Sequence, residues 1–504
     1  MENMLRLVTG RIGCGKTARI YEEIRKITEQ GGEVTLVVPE QYSFHTEKKM
    51  LEMLGARGAD RVNVVSFSFL AKNLLKKYGL NSEKSLDDST RAMLMSVALD
   101  EAGDDLQVYS RHRYSPAVIL QMLKTLKDFR QCSVTSDKIE ETLAKLKPSL
   151  LKDKLGEILL IDRTYTALVE QNYFDDDCAL DILCDVLDEH RDFDGAEVFV
   201  DGFRGFTAQE YAVLERIMHQ SAETWVTLCV DKADDEFGVF AHTFRTKRKL
   251  IRCAQKSGTD IAKPELLTRD GSIDPELNAL EKGLYSGGAE IYGEKTKKIT
   301  LCSAEDFESE CEFVACTIKR LIRTENIRCR DIAVISRSEN NYSRQIRSAL
   351  IKNGVPVFED KRQPITSEPL IEFVRSAIEI GTSGFSTDAL MRLAKTGLTD
   401  LTIEEIAKIE NYALMWQING KKWLDEWTAH PNGLGEKMLE KDAAELREIN
   451  DTRIKLVAPL QKFRVKLRDF TSLEAAQAIY YLLIDMNVGE NLKKLAIKLN
   501  ESSQ

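Results

Sequence analysis

A glycine-rich loop near the N-terminus restricts what this chain can fold into more than any other feature of its sequence. Residues 10–17 read GRIGCGKT and fit the P-loop pattern GxxxxGK followed by Ser or Thr. Leu5, Leu7 and Val8 predict a strand before the loop. Ile20, Ile24 and Ile27 predict a helix after it. A chance glycine-rich turn would lack these neighbours, so the sequence predicts a nucleotide-binding α/β domain.

The residue types in the loop suit a triphosphate and a magnesium ion. Glycines let backbone N–H groups approach phosphates closely, and the positive end of the following helix favours an anion. Lys16 would place its ammonium group at the β- and γ-phosphates, and the Thr17 hydroxyl would ligate Mg²⁺. The sequence predicts ATP and Mg²⁺ as ligands, with these residues lining the nucleotide: Gly10, Arg11, Ile12, Gly13, Cys14, Gly15, Lys16 and Thr17.

The composition is typical of a soluble protein of about three domains. The 504 residues are 43% apolar, with neither an apolar run of about 18 residues nor a signal peptide. We therefore expect a cytoplasmic protein without membrane contact. The ten cysteines include no CxxC pair, so the sequence supports no zinc or iron–sulfur site.

The charge distribution leaves nucleic-acid binding open. A net charge of -10 excludes an indiscriminate polycation, but a protein can grip a nucleic-acid backbone with a local basic stripe. The most basic stretch, residues 242–252, reads HTFRTKRKLIR. It fits either a solvated helix face or a DNA contact.

Two further apolar strands, at residues 33–38 and 62–65, each lead into a polar and aromatic loop. Right-handed crossovers would place them in one parallel sheet, with both loops at the edge where open α/β sheets bind ligands. Side chains there can stack on bases and contact phosphates of a single strand. Alternatively, the phenylalanines only pack helices onto the sheet. The candidate DNA-binding residues are Gln41, Phe44, Ser66 and Phe67.

An acidic residue ends another apolar strand after a long helical block. Residues 87–190 carry only helical patterns, and the strand at residues 197–200 is followed by Asp201. In P-loop enzymes such a residue holds Mg²⁺ opposite the P-loop hydroxyl, so Asp201 is the candidate partner of Thr17. Thr207 and Glu210 form a predicted capping box that starts the next helix.

Three segments together resemble the N-terminal half of AddB, one of the two subunits of the bacterial ATP-dependent helicase/deoxyribonuclease AddAB. They are the P-loop, VVPEQYSFHTE at residues 37–47 with VSF at 65–67, and VDGFRGFTAQE at 200–210. The resemblance implies a superfamily 1 helicase-like chain in which Lys16 and Asp201 serve ATP chemistry. It also implies an AddA-like partner subunit, single- and double-stranded DNA as ligands, and a role in DNA-end processing for recombinational repair and in reading the sequence chi.

The second half resembles the beginning of a second motor domain. Strands predicted at residues 298–302 and 331–336 alternate with two helices, and the segment from Asp331 resembles helicase motif IV. By this resemblance Arg337 would approach the nucleotide, although a bond to a surface carboxylate explains it equally well. The final part is helical, and its tryptophans at 416, 423 and 427 are spaced as on one helix face, which is more typical of a core stripe than of a base-stacking platform.

The predicted fold class is α/β, with P-loop NTPase (RecA-like) parallel-sheet domains and two all-helical insertions. Family positions for the nuclease domain and its iron–sulfur cysteines have no match here, which predicts a truncated or split AddB. A linker is expected within residues 266–293. The expected domains are a first RecA-like domain from residues 1–86 and 191–290, an insertion at 87–190, the start of a second RecA-like domain at 291–381 and an insertion at 382–504.

One departure from active helicases affects the expected turnover. They carry Asp-Glu where this chain has Asp201 followed by Gly202, and without a base at that place hydrolysis should be slow. Glu210 is a candidate to replace the missing base, although its role in the capping box is the simpler account. Three functions stay open: a hydrolysing helicase-like subunit, a scaffold that binds ATP without turnover and reads DNA, and a P-loop kinase of a small substrate.

Overall fold

A parallel β-sheet forms the centre of the N-terminal unit in this computed structural model. The chain divides into two units, residues 1–302 and 303–504, and each is described by itself. The sheet and the many helices confirm the predicted α/β class. The structure describes residues 3–80, 86–171, 173–231, 238–268, 274–284, 291–358, 365–434, 437–467 and 471–502.

The strands of the first unit are short and all pair in parallel. They are β1 (Met4–Thr9), β2 (Val34–Val37), β3 (Val62–Val65), β4 (Glu197–Val200), β5 (Glu223–Leu228), β6 (Asp260–Ile261) and β7 (Glu265–Leu266). Their order is β3-β2-β4-β5-β1-β6, with β7 also beside β1. The carboxyl ends of β1, β4 and β5 therefore lie at one edge of the sheet.

The helices of the first unit include those predicted after the P-loop, over residues 116–190 and after Thr207, and one more, Pro275–Gly283, lies within the stretch predicted as a linker. They are α1 (Lys16–Glu29), α2 (Ser43–Ala59), α3 (Phe67–Lys77), α4 (Asp88–Glu101), α5 (Pro116–Gln131), α6 (Ser136–Lys145), α7 (Leu150–Glu170), α8 (Ala179–Glu189), α9 (Ala208–Gln220), α10 (Ala241–Ser257) and α11 (Pro275–Gly283). Short 3₁₀ helices cover Glu40–Tyr42, Gly103–Asp105, Ser110–His112 and Asp176–Cys178. The predicted capping box of Thr207 and Glu210 is present at the start of α9.

Helices cover both faces of the sheet, as the apolar strands of a parallel sheet require. Ile20 and Ile24 of α1 and Met50 of α2 pack on one face. Helices α3, α8, α9 and α10 contribute to the core on the other face. Since α1 begins at the P-loop, its burial holds the loop at the end of β1.

The helical block between β3 and β4 has a core of its own. Helices α4, α5 and α7 pack around buried side chains that include Met95, Leu126 and Tyr165. Helix α8 behaves differently, because Leu183 and Leu187 pack in the core of the sheet. The prediction that residues 87–190 contain helices and no sheet strand agrees with the structure, although α8 packs with the sheet.

The second unit is helical in the part of the chain that the structure describes. The helices of this unit are α12 (Phe307–Thr324), α13 (Glu339–Lys352), α14 (Pro369–Ser383), α15 (Thr387–Ala394), α16 (Ile403–Met415), α17 (Glu440–Lys466), α18 (Ser472–Asp485) and α19 (Val488–Ser502), with 3₁₀ helices at Cys329–Asp331 and Gly420–Trp423. A large core joins α14 to the helices that follow it. A smaller core lies between α12 and α13.

Two predicted strands of the second half are wrong. Residues 298–302 and 331–336 form no strand in the structure. Several of their apolar side chains are exposed, with Leu301 at 97% and Ile335 at 93%. A parallel strand depends on neighbouring strands for its hydrogen bonds and on two covered faces, and no described segment supplies these here.

The tryptophans form a core as predicted, but not on one helix. Trp416 follows the end of α16, Trp423 ends a 3₁₀ helix, and Trp427 lies in a loop. Trp423 and Trp427 are buried with ring centres 5.0 Å apart.

Within the described ranges, no helix is long and apolar enough to cross a membrane.

Candidate nucleotide and nucleic-acid site

The loop between β1 and α1 has the form of a phosphate cradle. Gly10 has a φ of 155°, and a Cβ atom at this position would lie 2.5 Å from the carbonyl oxygen of Leu267. Only glycine fits there. The N-cap of α1 is Gly15, so no side chain caps the first turn, and that turn contains no acidic residue. Its N–H groups and positive end therefore face the loop without a counter-charge from the helix itself.

Lys16 lies folded into this cradle. Its Nζ donates hydrogen bonds to the carbonyl oxygens of Gly10 at 2.9 Å and Arg11 at 2.8 Å. The ammonium group is thus held at the loop by neutral carbonyls, which a phosphate oxygen would outcompete as a charged acceptor. Cys14 is half-buried beside it, with Sγ 3.8 Å from Nζ.

Asp201 lies directly opposite the P-loop helix. Its backbone N–H donates to the Val37 carbonyl at 3.0 Å, which continues the pairing of β4 with β2. Thr17 Oγ1 donates to Asp201 Oδ2 at 2.9 Å, and Thr227 of β5 donates to Oδ1. Asp201 is 8% exposed. The structure therefore brings the two predicted Mg²⁺ ligands into contact across the sheet edge.

The donor set fits Mg²⁺, which prefers hydroxyl, carboxylate and phosphate oxygens and keeps several waters. Thr17 and Asp201 would provide two such oxygens, and the phosphates would provide others. Elsewhere, no group of three or more His, Cys, Asp or Glu side chains suited to a metal ion occurs among the described residues.

Arg11 bonds to carboxylates of the chain itself, and Ile12 is exposed. Arg11 donates to Asp231 and Glu281, and its guanidinium lies over the ring of Phe240. The hydrogen bond to Asp231 raises the pKa of Arg11. Ile12 is 68% exposed. Both residues remain predicted nucleotide contacts, but Arg11 already has carboxylate partners that hold the loop to the end of β5.

The residue after Asp201 is held in a glycine-specific conformation. Gly202 has a φ of 84°, and a Cβ there would lie 3.3 Å from Pro39 Cδ and 3.9 Å from Tyr42 Cδ2. The carboxylate of Glu210 accepts from the Thr207 backbone at 2.7 Å in the capping box. The simpler role predicted for Glu210 is thus the one that the structure shows.

Tyr21 is a buried neighbour of the site that the sequence patterns did not reveal. It lies one turn after Thr17 on α1 and is 6% exposed. Burial and the nearby charge of Asp201 raise the pKa of its hydroxyl, which also bonds to Thr46 of α2. The four-residue spacing from Thr17 was the one available signal, because it places both side chains on one face of α1.

The segment after β2 presents aromatic side chains to solvent beside Asp201. Phe44 is 80% exposed and Gln41 is also exposed. Tyr42, which no sequence pattern marked as a DNA contact, is 50% exposed and lies beside Gly202. Rings exposed in this way are available for stacking on bases.

Ser66 and Phe67 have structural roles here. Ser66 Oγ accepts from the Phe69 backbone at 3.2 Å and caps α3. Phe67 is 4% exposed and packs edge to face against Phe203 and Phe206. Core packing covers the ring of Phe67, which favours the alternative that this residue packs a helix onto the sheet, and its DNA contact stays a prediction.

Arg337 lies in the second unit, where its side chain is exposed. No ion pair involves it among the described residues, so the structure does not show the alternative bond to a surface carboxylate. Its predicted approach to the nucleotide stays a prediction.

Comparison with known proteins identifies the family. The profile "ADDB, N-terminal" matches residues 7–281, which include the P-loop from Gly10 and also Asp201. The chain belongs to the AddB family. A second profile, "UvrD-like helicase C-terminal domain", matches residues 239–419.

Curated relatives, each named as a subunit of an ATP-dependent helicase/deoxyribonuclease, match nearly the whole chain. The relative from Clostridium novyi is 32% identical over 99% of this chain and 44% of its own length. Those from Caldanaerobacter subterraneus subsp. tengcongensis and Acetivibrio thermocellus are each 30% identical, over 97% and 99% of this chain and 43% and 45% of their own lengths. The chain thus spans less than half the length of these relatives.

Proposed function

We propose that this chain is an ATP-binding, helicase-like subunit of a helicase–nuclease complex that processes double-strand DNA ends for recombinational repair and reads chi. The observation that carries the nucleotide-binding part is the contact of Thr17 with Asp201 at the end of a parallel sheet. Membership of the AddB family supports the DNA-processing part. Chi recognition and an AddA-like partner follow from the family resemblance alone, and a cytoplasmic location remains an expectation from the sequence.

The site would bind nucleotide through groups that are already in place. The uncapped N-terminus of α1 would bind phosphate oxygens, and Lys16 would exchange its carbonyl partners for the β- and γ-phosphates. Magnesium, when bound, neutralises charge that develops on the phosphates. Thr17 and Asp201 would hold that ion, and Thr227 would orient the carboxylate.

Hydrolysis is the step for which no suitable residue follows Asp201. Gly202 stands where active helicases carry the glutamate that activates water, and Glu210 is bound in its capping box. We therefore favour slow turnover, and a subunit that binds ATP without turnover and serves as a DNA channel is the second candidate. The presence of Gly202 in place of that glutamate is the observation that favours this second candidate.

The first experiment measures binding of a fluorescent ATP analogue with Mg²⁺. Lys16→Ala and Asp201→Asn should each weaken binding by about 10- to 100-fold, as expected for loss of a charge-assisted contact of ~1.5–3 kcal/mol. Lys26→Ala, an exposed cation on the same helix, should leave binding unchanged. Equal affinity of wild type and Lys16→Ala would refute nucleotide binding at this loop.

Hydrolysis with and without single-stranded DNA separates the remaining functions. DNA-stimulated turnover that Lys16→Ala abolishes supports the motor. Binding without turnover supports the channel. Transfer of phosphate to a small acceptor without DNA would support the kinase alternative instead.

A further inference from the structure

Helix α10 carries basic side chains along one exposed face and contains no Asp or Glu. Arg245, Arg248, Lys249 and Arg252 are spaced by three, one and three residues, which places them on one side of the helix. All four are exposed, whereas Leu250 on the opposite side is fully buried. We call these four residues the basic stripe.

The charge of the basic stripe is only partly compensated. In the described part of the chain, no ion pair involves Arg245 or Arg252, while Lys256 further along the helix pairs with Glu215 at 2.9 Å. Arg248 does interact within the chain. In a protein of net charge -10, a helix face with several cations and no anion of its own is a suitable site for a polyanion.

The basic stripe adjoins the aromatic cluster behind the predicted DNA-side loops. Lys249 Nζ lies 5.2 Å from the ring centre of Tyr211. The Tyr211 ring is 5.4 Å from Phe206, which is 6.1 Å from Phe67. Thr246 of α10 also donates to the Arg204 carbonyl at 3.1 Å, just after Asp201. Helix α10 therefore packs beside the loop that follows Asp201.

We propose that the basic stripe binds the phosphate backbone of DNA. The proposal rests on the proposed function and deepens it by naming a backbone-binding face outside the strand-end loops. Arg245 and Arg252 are separated by about 10.5 Å along the helix, at 1.5 Å per residue. That length spans about three phosphates of one duplex strand, at about 3.4 Å per phosphate along the axis. Arginine suits this task because its planar guanidinium binds phosphate through two hydrogen bonds.

The test compares two triple variants of the 504-residue chain. Arg245→Gln/Lys249→Gln/Arg252→Gln removes three charges from the basic stripe. Lys124→Gln/Lys138→Gln/Lys145→Gln removes three charges from exposed positions of α5 and α6. Binding to fluorescein-labelled single-stranded and duplex DNA is measured by anisotropy over a series of salt concentrations. The stripe variant should bind at least tenfold more weakly at low salt, with a slope of log K against log salt that is shallower by about 2 for single strands. The control should change neither quantity.

Each contrary result has its own meaning. If wild type binds DNA and the stripe variant matches the control, the basic stripe is refuted and the proposed function stands. If wild type binds no DNA at any salt concentration, the DNA part of the proposed function fails together with the stripe. Unlabelled polyglutamate can be added to compete with the labelled DNA. If it displaces the labelled DNA as strongly as unlabelled DNA of equal charge does, the proposal is overturned in favour of an acidic protein partner.

Folding is controlled separately. The melting temperature of the stripe variant should equal that of wild type, because the substituted side chains are exposed. If it falls, the single variants Arg245→Gln and Arg252→Gln give the same readout, and each should reduce the slope by about 0.7 for single strands. Unchanged slopes in both single variants would refute the proposal.

Discussion

Glu197 provides a test of the sheet that does not depend on nucleotide. It starts β4 and lies opposite Glu223 of β5 in parallel register. Glu223 accepts two hydrogen bonds from Arg6, at 2.7 and 2.6 Å, whereas Oε2 of Glu197 is buried without a hydrogen-bond partner among the described residues. Burial and the charge of Glu223 raise the pKa of Glu197 to about 7. The ionised carboxylate is therefore unfavourable in the folded state.

The raised pKa predicts that stability falls as the pH rises. Below the ordinary value of 4.5, Glu197 is protonated in the folded and unfolded states and costs nothing. Between pH 4.5 and 7 the unfolded state loses the proton first, so the free energy of unfolding decreases. Above pH 7 the whole cost applies. A rise from 4.5 to about 7 is worth at most ~3 kcal/mol, and partial exposure of the side chain reduces this to about 1 kcal/mol.

The assay is thermal unfolding of Glu197→Gln between about pH 4 and about pH 8. At the upper pH the variant should gain about 1 kcal/mol, or about 2 °C for a unit of this size, and at the lower pH it should equal wild type. Glu223→Gln is the control, since it removes the partner of Arg6 and should lower the melting temperature at the upper pH. ATP binding should not change, because Glu197 begins its strand and the P-loop lies at the opposite, carboxyl edge of the sheet. A Glu197→Gln protein less stable than wild type at the upper pH would show that the reasoning is wrong.

Three further predictions concern a buried carboxylate and two phenylalanines. The buried carboxylate of Asp175 accepts hydrogen bonds from both Arg91 and Arg130. Asp175→Asn should therefore destabilise the helical block by about 3–5 kcal/mol, measured by amide exchange in α4 and α5. A loss of stability below ~1 kcal/mol would contradict the buried pairing. Phe67→Ala should cost about 3–5 kcal/mol in urea unfolding, and a loss near zero would show that its ring is not part of the core. Phe44→Ala should leave unfolding unchanged and weaken single-stranded DNA binding by ~1–3 kcal/mol, and unaltered DNA affinity would remove Phe44 from the interface.

The first unit was predictable because its signals are local and its sheet is parallel. The P-loop was predicted from a pattern within one short segment, and the capping box was predicted from Thr207 and Glu210. The contact of Thr17 with Asp201 joins residues far apart in sequence. It followed from one rule, that parallel strands end at the same edge of the sheet, applied to two strands with recognisable ends.

The two strands that were predicted wrongly, and the burial of Phe67, depend on the surroundings in the tertiary structure. The apolar runs at 298–302 and 331–336 have strand-like patterns, but a pattern does not supply neighbouring strands. Phe67 follows a strand end as Phe44 does, and only packing against Phe203 and Phe206 makes one ring buried and the other exposed. Sequence position selects candidates for DNA contact, whereas the tertiary structure decides which rings are accessible.

The groups proposed to bind ATP are in place in this structure, whereas the group that would hydrolyse it is replaced by Gly202. Thr17 and Asp201 are in contact, but Gly202 combines a φ of 84° with Pro39 Cδ only 3.3 Å from any Cβ. A side chain there meets backbone strain of about 1–2 kcal/mol as well as the proline ring. Gly202→Glu alone should therefore destabilise the protein and leave ATP turnover unchanged, measured by melting temperature and phosphate release. Faster turnover with unchanged stability would show that the missing carboxylate alone limits hydrolysis and that the backbone does not exclude it.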